Sequence, residues 1–130
     1  MRKIFLSYGS IFGMLAVMLG AMGAHALKNQ ISPEQLISYE TGVKYQMYHA
    51  FALLIIALLL DKLDNKLLQY SGYFFIAGVF LFSGSVYLLS LKNILGIESW
   101  TFLGPITPLG GVCFITGWIF ILLATFKLKV

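Results

Sequence analysis

Stretches free of Asp, Glu, Lys and Arg divide this chain: residues 4–27, 45–60, 67–91 and 99–126 carry none of the four. The first is 24 residues long. At a rise of about 1.5 Å per residue it makes a helix of about 36 Å, enough to cross a bilayer with some tilt. The second is only 16 residues, so its span borrows from residues 41–44, where Lys44 can snorkel towards the headgroups. The fourth run contains Pro105 and Pro108, which place the helix start near Leu109. The expected spans are about 4–27, 43–61, 67–91 and 108–126, in one domain. A membrane barrel would need segments of about ten residues with alternating polarity. Residues 52–60 are instead continuously apolar, and in hydrocarbon such runs satisfy their own backbone only as helices. The fold class is an all-α membrane protein, a four-transmembrane-helix antiparallel bundle.

Composition agrees and narrows the function. Of 130 residues, 59% are hydrophobic and 11% charged, far from the soluble norm. The net charge of +4 is a matter of topology rather than nucleic-acid binding. Four spans put Arg2, Lys3, Lys62, Lys66, Lys127 and Lys129 on one side and Lys28, Lys44 and Lys92 on the other. The excess predicts both termini in the cytoplasm and, for a bacterial chain, a multi-pass inner-membrane location. Ala24-His25-Ala26 has the look of a signal-peptidase site, but the apolar run before it outlasts a signal peptide's usual 7–15 residues. It is read as an uncleaved first helix. Cys113 is the sole cysteine and falls within the fourth span, so it is read as a small packing residue.

Small residues predict how the helices meet, because association in lipid depends on close backbone approach. Gly9, Gly13, Ala16, Gly20 and Gly23 fall within about 80° of arc on the first helix. Ser71, Gly78 and Ser85 recur at heptad spacing on the third, and Gly110, Gly117 and Ala124 on the fourth. Gly42, Gln46, Ala50 and Ala57 form a weaker seam on the second. Such spacing suits left-handed crossings near +20°. The seams serve packing within the chain in the simplest case, and a homo-oligomer or membrane-protein partner in the other. Before the second span, Ser32, Pro33 and Glu34 match an N-cap, a first-turn proline and an early acidic residue. A helix starting at Pro33 is either a short interfacial piece or the outward extension of the second span.

Several local strings carry a resemblance: Gly20-Ala21-Met22-Gly23-Ala24-His25, Tyr45-Gln46-Met47-Tyr48-His49-Ala50, Phe82-Ser83-Gly84-Ser85-Val86-Tyr87, and residues 104–111 followed by Gly117-Trp118. Their order and spacing resemble the small integral membrane family known as domain of unknown function 423, over essentially the whole chain. The resemblance implies a small bacterial inner-membrane protein with several transmembrane helices. It carries no established activity, substrate or cofactor.

Threading the spans through the predicted orientation brings His25, Tyr45, Gln46, Tyr48, His49, Tyr87, Trp100 and Thr107 to a similar, non-cytoplasmic depth. A polar pocket opening outward is expected around His25, Tyr45, Gln46, His49, Tyr87 and Thr107. In apolar surroundings these groups need partners, and mutual hydrogen bonding is the plainest use of them. No metal or haem is expected, because the two His lack a recognisable ligand pattern even with Glu40 or Glu98 nearby. Proton-coupled export through a buried carboxylate is disfavoured, since no Asp or Glu lies inside a span and Asp61 and Asp64 sit at the cytoplasmic end among Lys62 and Lys66. No nucleophile with a base at recognisable spacing appears, and the Gly-rich segments lack phosphate-loop context. The expectation is a non-enzymatic protein that packs with lipid or a protein partner through its small-residue helix faces, the alternative being a small carrier or ligand-binding protein with an outward-facing polar pocket.

Overall fold

The computed structural model describes residues 1–128, so the charge expected at Lys129 lies outside the described residues. It is all-helical, with four helices long and apolar enough to cross a membrane. These are α1 (Arg2–Ala24), α2 (Pro33–Lys62), a third span Lys66–Ser90 and a last span Leu103–Thr125. The third span is composite: α3 (Lys66–Gly78), a π-helical segment (Val79–Gly84) and α4 (Ser85–Ser90). A short α5 (Lys92–Leu95) follows, ended by Gly96 with φ of 69°, where a side chain would be strained. The last span is α6 (Leu103–Thr125).

Local chemistry sets the helix ends. The Ser32 hydroxyl accepts from the Gln35 amide at 3.1 Å while the Gln35 side chain accepts from the Ser32 amide at 3.0 Å. That reciprocal box, with Pro33 in the first turn, starts α2. From Pro33 the helix continues unbroken for 30 residues, so the segment before the second span is its outward extension rather than a separate interfacial helix. Asn65 caps α3, accepting from Leu67 N at 2.8 Å.

The last span departs from expectation. It begins at Leu103, with Pro105 and Pro108 inside it, rather than near Leu109. Pro105 sits in the first turn, where its missing N–H has no carbonyl to serve. Pro108 forgoes only the bond to the Gly104 carbonyl, close to the helix end, and the helix absorbs it.

The small-residue seams are filled from within the chain. A Cβ on Gly9 would lie 2.9 Å from Leu54, one on Gly23 2.7 Å from Tyr39, one on Gly78 2.4 Å from Phe114 and one on Gly117 2.4 Å from Phe75. Gly13 and Gly20 face Ala50 and Val43, and Ala16 is buried. α1 packs chiefly on α2, and α6 chiefly on the third span. At Gly110 the approach is backbone to backbone, a Cβ falling 2.3 Å from Phe82 N. The backbone met there belongs to the π-helical turn. Arg2 pairs with Asp61, tying the first turn of α1 to the last turn of α2 at one end of the bundle. Both side chains are half exposed, so the pair registers the ends more than it stabilises them.

Candidate functional site: polar side chains paired inside the bundle

The seam of α2 carries Tyr39, Gly42, Gln46 and His49 at helical spacings of three, four and three, all buried. Each of the three side chains on it is hydrogen-bonded. The Tyr39 hydroxyl donates to the Leu19 carbonyl at 2.6 Å. Gln46 Nε2 donates to the Phe12 carbonyl at 2.9 Å, and its Oε1 accepts from the Tyr87 hydroxyl at 2.7 Å. One amide thus joins α1, α2 and α4, and the two bonds fix which way it points. A buried Gln in hydrocarbon is tolerable only with both ends satisfied in this way.

His49 lies in a separate aromatic enclosure. Its ring stacks on Phe114 with centroids 3.7 Å apart and meets the edges of Phe75 and Trp118. Nδ1 lies 2.7 Å from the Tyr45 carbonyl, and Trp118 Nε1 donates to Nε2 at 3.1 Å. A carbonyl only accepts and an indole N–H only donates. These partners therefore assign the proton to Nδ1 and the acceptor role to Nε2.

Further hydroxyls bond across the helices, while the buried Ser90 Oγ has no hydrogen-bond partner among the described residues. Ser71 donates to the Gly117 carbonyl and Ser83 to the Gly42 carbonyl, each at 2.7 Å. Ser85 and Thr107 lie 2.6 Å apart, and the Ser85 hydroxyl is also 2.6 Å from the Leu81 carbonyl. With one proton each, Thr107 donates to Ser85 and Ser85 donates to Leu81. Every span is thereby linked by side chain to at least one neighbour.

Of the residues expected in one pocket, Gln46 and Tyr87 are bonded to each other, and Thr107 belongs to the Ser85 pair. His49 is shut in among Phe75, Phe114 and Trp118, and Tyr45 contributes its carbonyl there while its ring stacks on Phe82. His25 stands apart: it is exposed at the C-cap of α1. It sits some 160° around that helix from Gly9, and it does not reach the expected common depth: Gln46 meets α1 at the Phe12 carbonyl, thirteen residues and about 20 Å along the helix from His25. Tyr48 and Trp100 are exposed as well. Sequence reasoning missed Tyr39, Ser83, Phe114 and Trp118. The first had a legible signal, since it continues the spacing of Gly42, Gln46 and His49.

No group of three or more His, Cys, Asp or Glu able to hold a metal ion occurs among the described residues. Gln46 edges an apolar groove of about 180 Å³ with Tyr87, Phe12 and Phe80.

An all-helical chain with four apolar spans, closed by internal hydrogen bonds, is a small integral membrane protein. More particularly, it belongs to the family described as "Protein of unknown function (DUF423)", whose model matches residues 19–111. The match takes in Tyr39, Gln46, His49, Tyr87 and Thr107 and stops short of Trp118. Among relatives, the UPF0382 membrane protein YwdK of Bacillus subtilis is 46% identical over 126 residues, 96% of this chain and 98% of its own length. The UPF0382 membrane protein SAB0533 of Staphylococcus aureus is 43% identical over 125 residues, 96% and 97% of the two chains. The UPF0382 membrane protein SSP2132 of Staphylococcus saprophyticus is 38% identical over 126 residues, 97% and 99%. These relatives are bacterial and are named only as membrane proteins. No solved structure matches the chain.

Proposed function

We propose that this chain is a non-enzymatic protein of the bacterial inner membrane that works by packing its outer surface against lipid or a protein partner, with both termini cytoplasmic. The observation that carries the reading is the closure of the polar groups. Gln46, His49 and Tyr87 hydrogen-bond to one another's helices, aromatics and carbonyls. A carrier needs such groups along a wet path, and a hydrolytic enzyme needs one of them free to reach a substrate. The surface left for interaction is apolar, with Val17, Phe51, Leu58, Phe80 and Ile115 all more than half exposed. The small-residue seams are already occupied by neighbours within the chain, so the partner surface is the outer one.

Cross-linking in native membranes, followed by mass spectrometry of the purified protein, tests the reading. Stable dimers, a reproducible second protein or retained lipid support it. A bare monomer with none of these overturns it. Orientation is tested separately: reporter fusions after Leu27 and Ser99 are exported while one after Asp64 is not, and the reverse pattern refutes the placement of the termini.

A further inference from the structure

Towards the end of the bundle that holds His25, α1 and the third span part, leaving the groove edged by Gln46 and Tyr87. A second groove, of about 520 Å³, runs on the other side of the third span against Trp100, Phe102 and Ile106. The two meet at Phe80, Gly84 and Tyr87, which line both. Gly84 forms the notch between them: a Cβ there would meet nothing within 4 Å. Packing inside the bundle therefore does not ask for glycine at this position, although glycine weakens a helix by about 0.5–1 kcal/mol relative to alanine.

From this geometry we infer that the crevice across Gly84 seats one acyl chain of a bilayer phospholipid. The inference rests on the reading of the chain as a protein that packs against lipid, and names the place. Gly84 lies six residues inside the Ser90 end of its span, about 9 Å below that end, at hydrocarbon depth. Nothing polar is free to hold water there, because the Ser85 hydroxyl is taken by Leu81 and Thr107 and the Tyr87 hydroxyl by Gln46. Trp100 and Phe102 stack at the rim, with ring centroids 5.7 Å apart, as aromatic side chains do at the headgroup boundary. The size of the larger groove lies within the range of about 300–1,000 Å³ typical of sites for small ligands. A transmembrane helix fits less well. Helices dock through close backbone approach over a small-residue face, whereas exposed Phe80, Trp100 and Phe102 stand up along the edges.

The test is native mass spectrometry of the full chain after extraction in mild detergent from vesicles of phosphatidylethanolamine and phosphatidylglycerol. The wild type is expected to retain one phospholipid per chain. Gly84→Leu, which fills the notch, should lower retention by about tenfold or more, while Leu122→Phe on another exposed face should not. Equal retention by wild type and Gly84→Leu overturns the inference while leaving lipid packing itself intact. A dimer in place of bound lipid, lost in Gly84→Leu, also overturns it and assigns the crevice to a second copy. Should Gly84→Leu fail to fold, a phospholipid with a diazirine on its acyl chain decides the matter on the wild type. Adducts concentrated on Phe80, Leu88, Phe102 and Ile106 support the inference, and adducts spread evenly over the exposed faces overturn it.

Discussion

Gly110 and Gly111 are adjacent on α6, yet the structure assigns them opposite responses to the same methyl group. A Cβ on Gly110 would lie 2.3 Å from Phe82 N and 2.7 Å from the Leu81 carbonyl carbon, both backbone atoms of the π-helical turn. Ordinary contact begins near 3.4 Å, so α6 would have to retreat by about 1 Å, in an interior packed as densely as an organic crystal. No side-chain rotation relieves the clash, because the atoms met are main chain. Overpacking of this kind costs about 1–3 kcal/mol, and a rigid backbone contact belongs at the upper end. A Cβ on Gly111 meets nothing within 4 Å, and there alanine gains the helix preference of about 1 kcal/mol. Gly110→Ala is therefore expected to destabilise by about 2–3 kcal/mol and Gly111→Ala to be neutral or stabilising. Reversible unfolding in mixed micelles, followed by circular dichroism, measures both. Equal behaviour of the two variants, or a harmless Gly110→Ala, would refute the placement of α6 against the π-helical turn.

Three further outcomes follow from the hydrogen bonds. Gln46→Leu and Tyr87→Phe each remove one member of a bonded pair, and a double-mutant cycle in the same unfolding assay should give a coupling of about 0.6 kcal/mol, at most about 1.7. Strictly additive losses would mean the pair is not formed. His49 should give the ¹⁵N pattern of a ring protonated at Nδ1 in detergent-solubilised protein, with the Trp118 indole N–H shifted by its bond to Nε2. An Nε2-protonated ring contradicts the geometry. Ser32→Ala removes the acceptor from Gln35 N and should cost about 1 kcal/mol at the start of α2, read as faster hydrogen exchange at the Gln35 amide; unchanged exchange would count against the capping box.

How far the sequence anticipated this arrangement depends on which coordinate of a membrane helix is asked for. Depth is one-dimensional, and charges and caps encode it directly. The apolar runs mark the spans, and Ser32, Pro33 and Glu34 locate the first turn of α2 where the capping box is found. Gly78, Gly110 and Gly117, read from heptad spacing alone, sit where side chains or backbone of the neighbouring helix leave no room for a Cβ. The start of α6 was hidden because proline's penalty depends on position: near a helix's beginning it deletes donors that lack partners or cost little. Azimuth is the coordinate the sequence conceals. His25 does not share a depth with Gln46, which bonds the Phe12 carbonyl thirteen residues and about 20 Å further along α1; among groups that do lie level, each helix's rotation decides what its side chains face, and that rotation is set by large residues entering glycine gaps on other helices. Phe114 over Gly78 and Phe75 over Gly117 turn α3 and α6 so that Trp118 reaches His49. Tyr39 over Gly23 instead turns the α2 seam towards α1, on the side His25 faces away from. A single polar pocket would have required those three faces to converge, and the aromatic-into-glycine contacts send them to different neighbours. Polar chemistry in this bundle is thus subordinate to packing, and the open notch at Gly84, unlike the equally open Gly111, joins two apolar grooves where an acyl chain from outside the protein can enter.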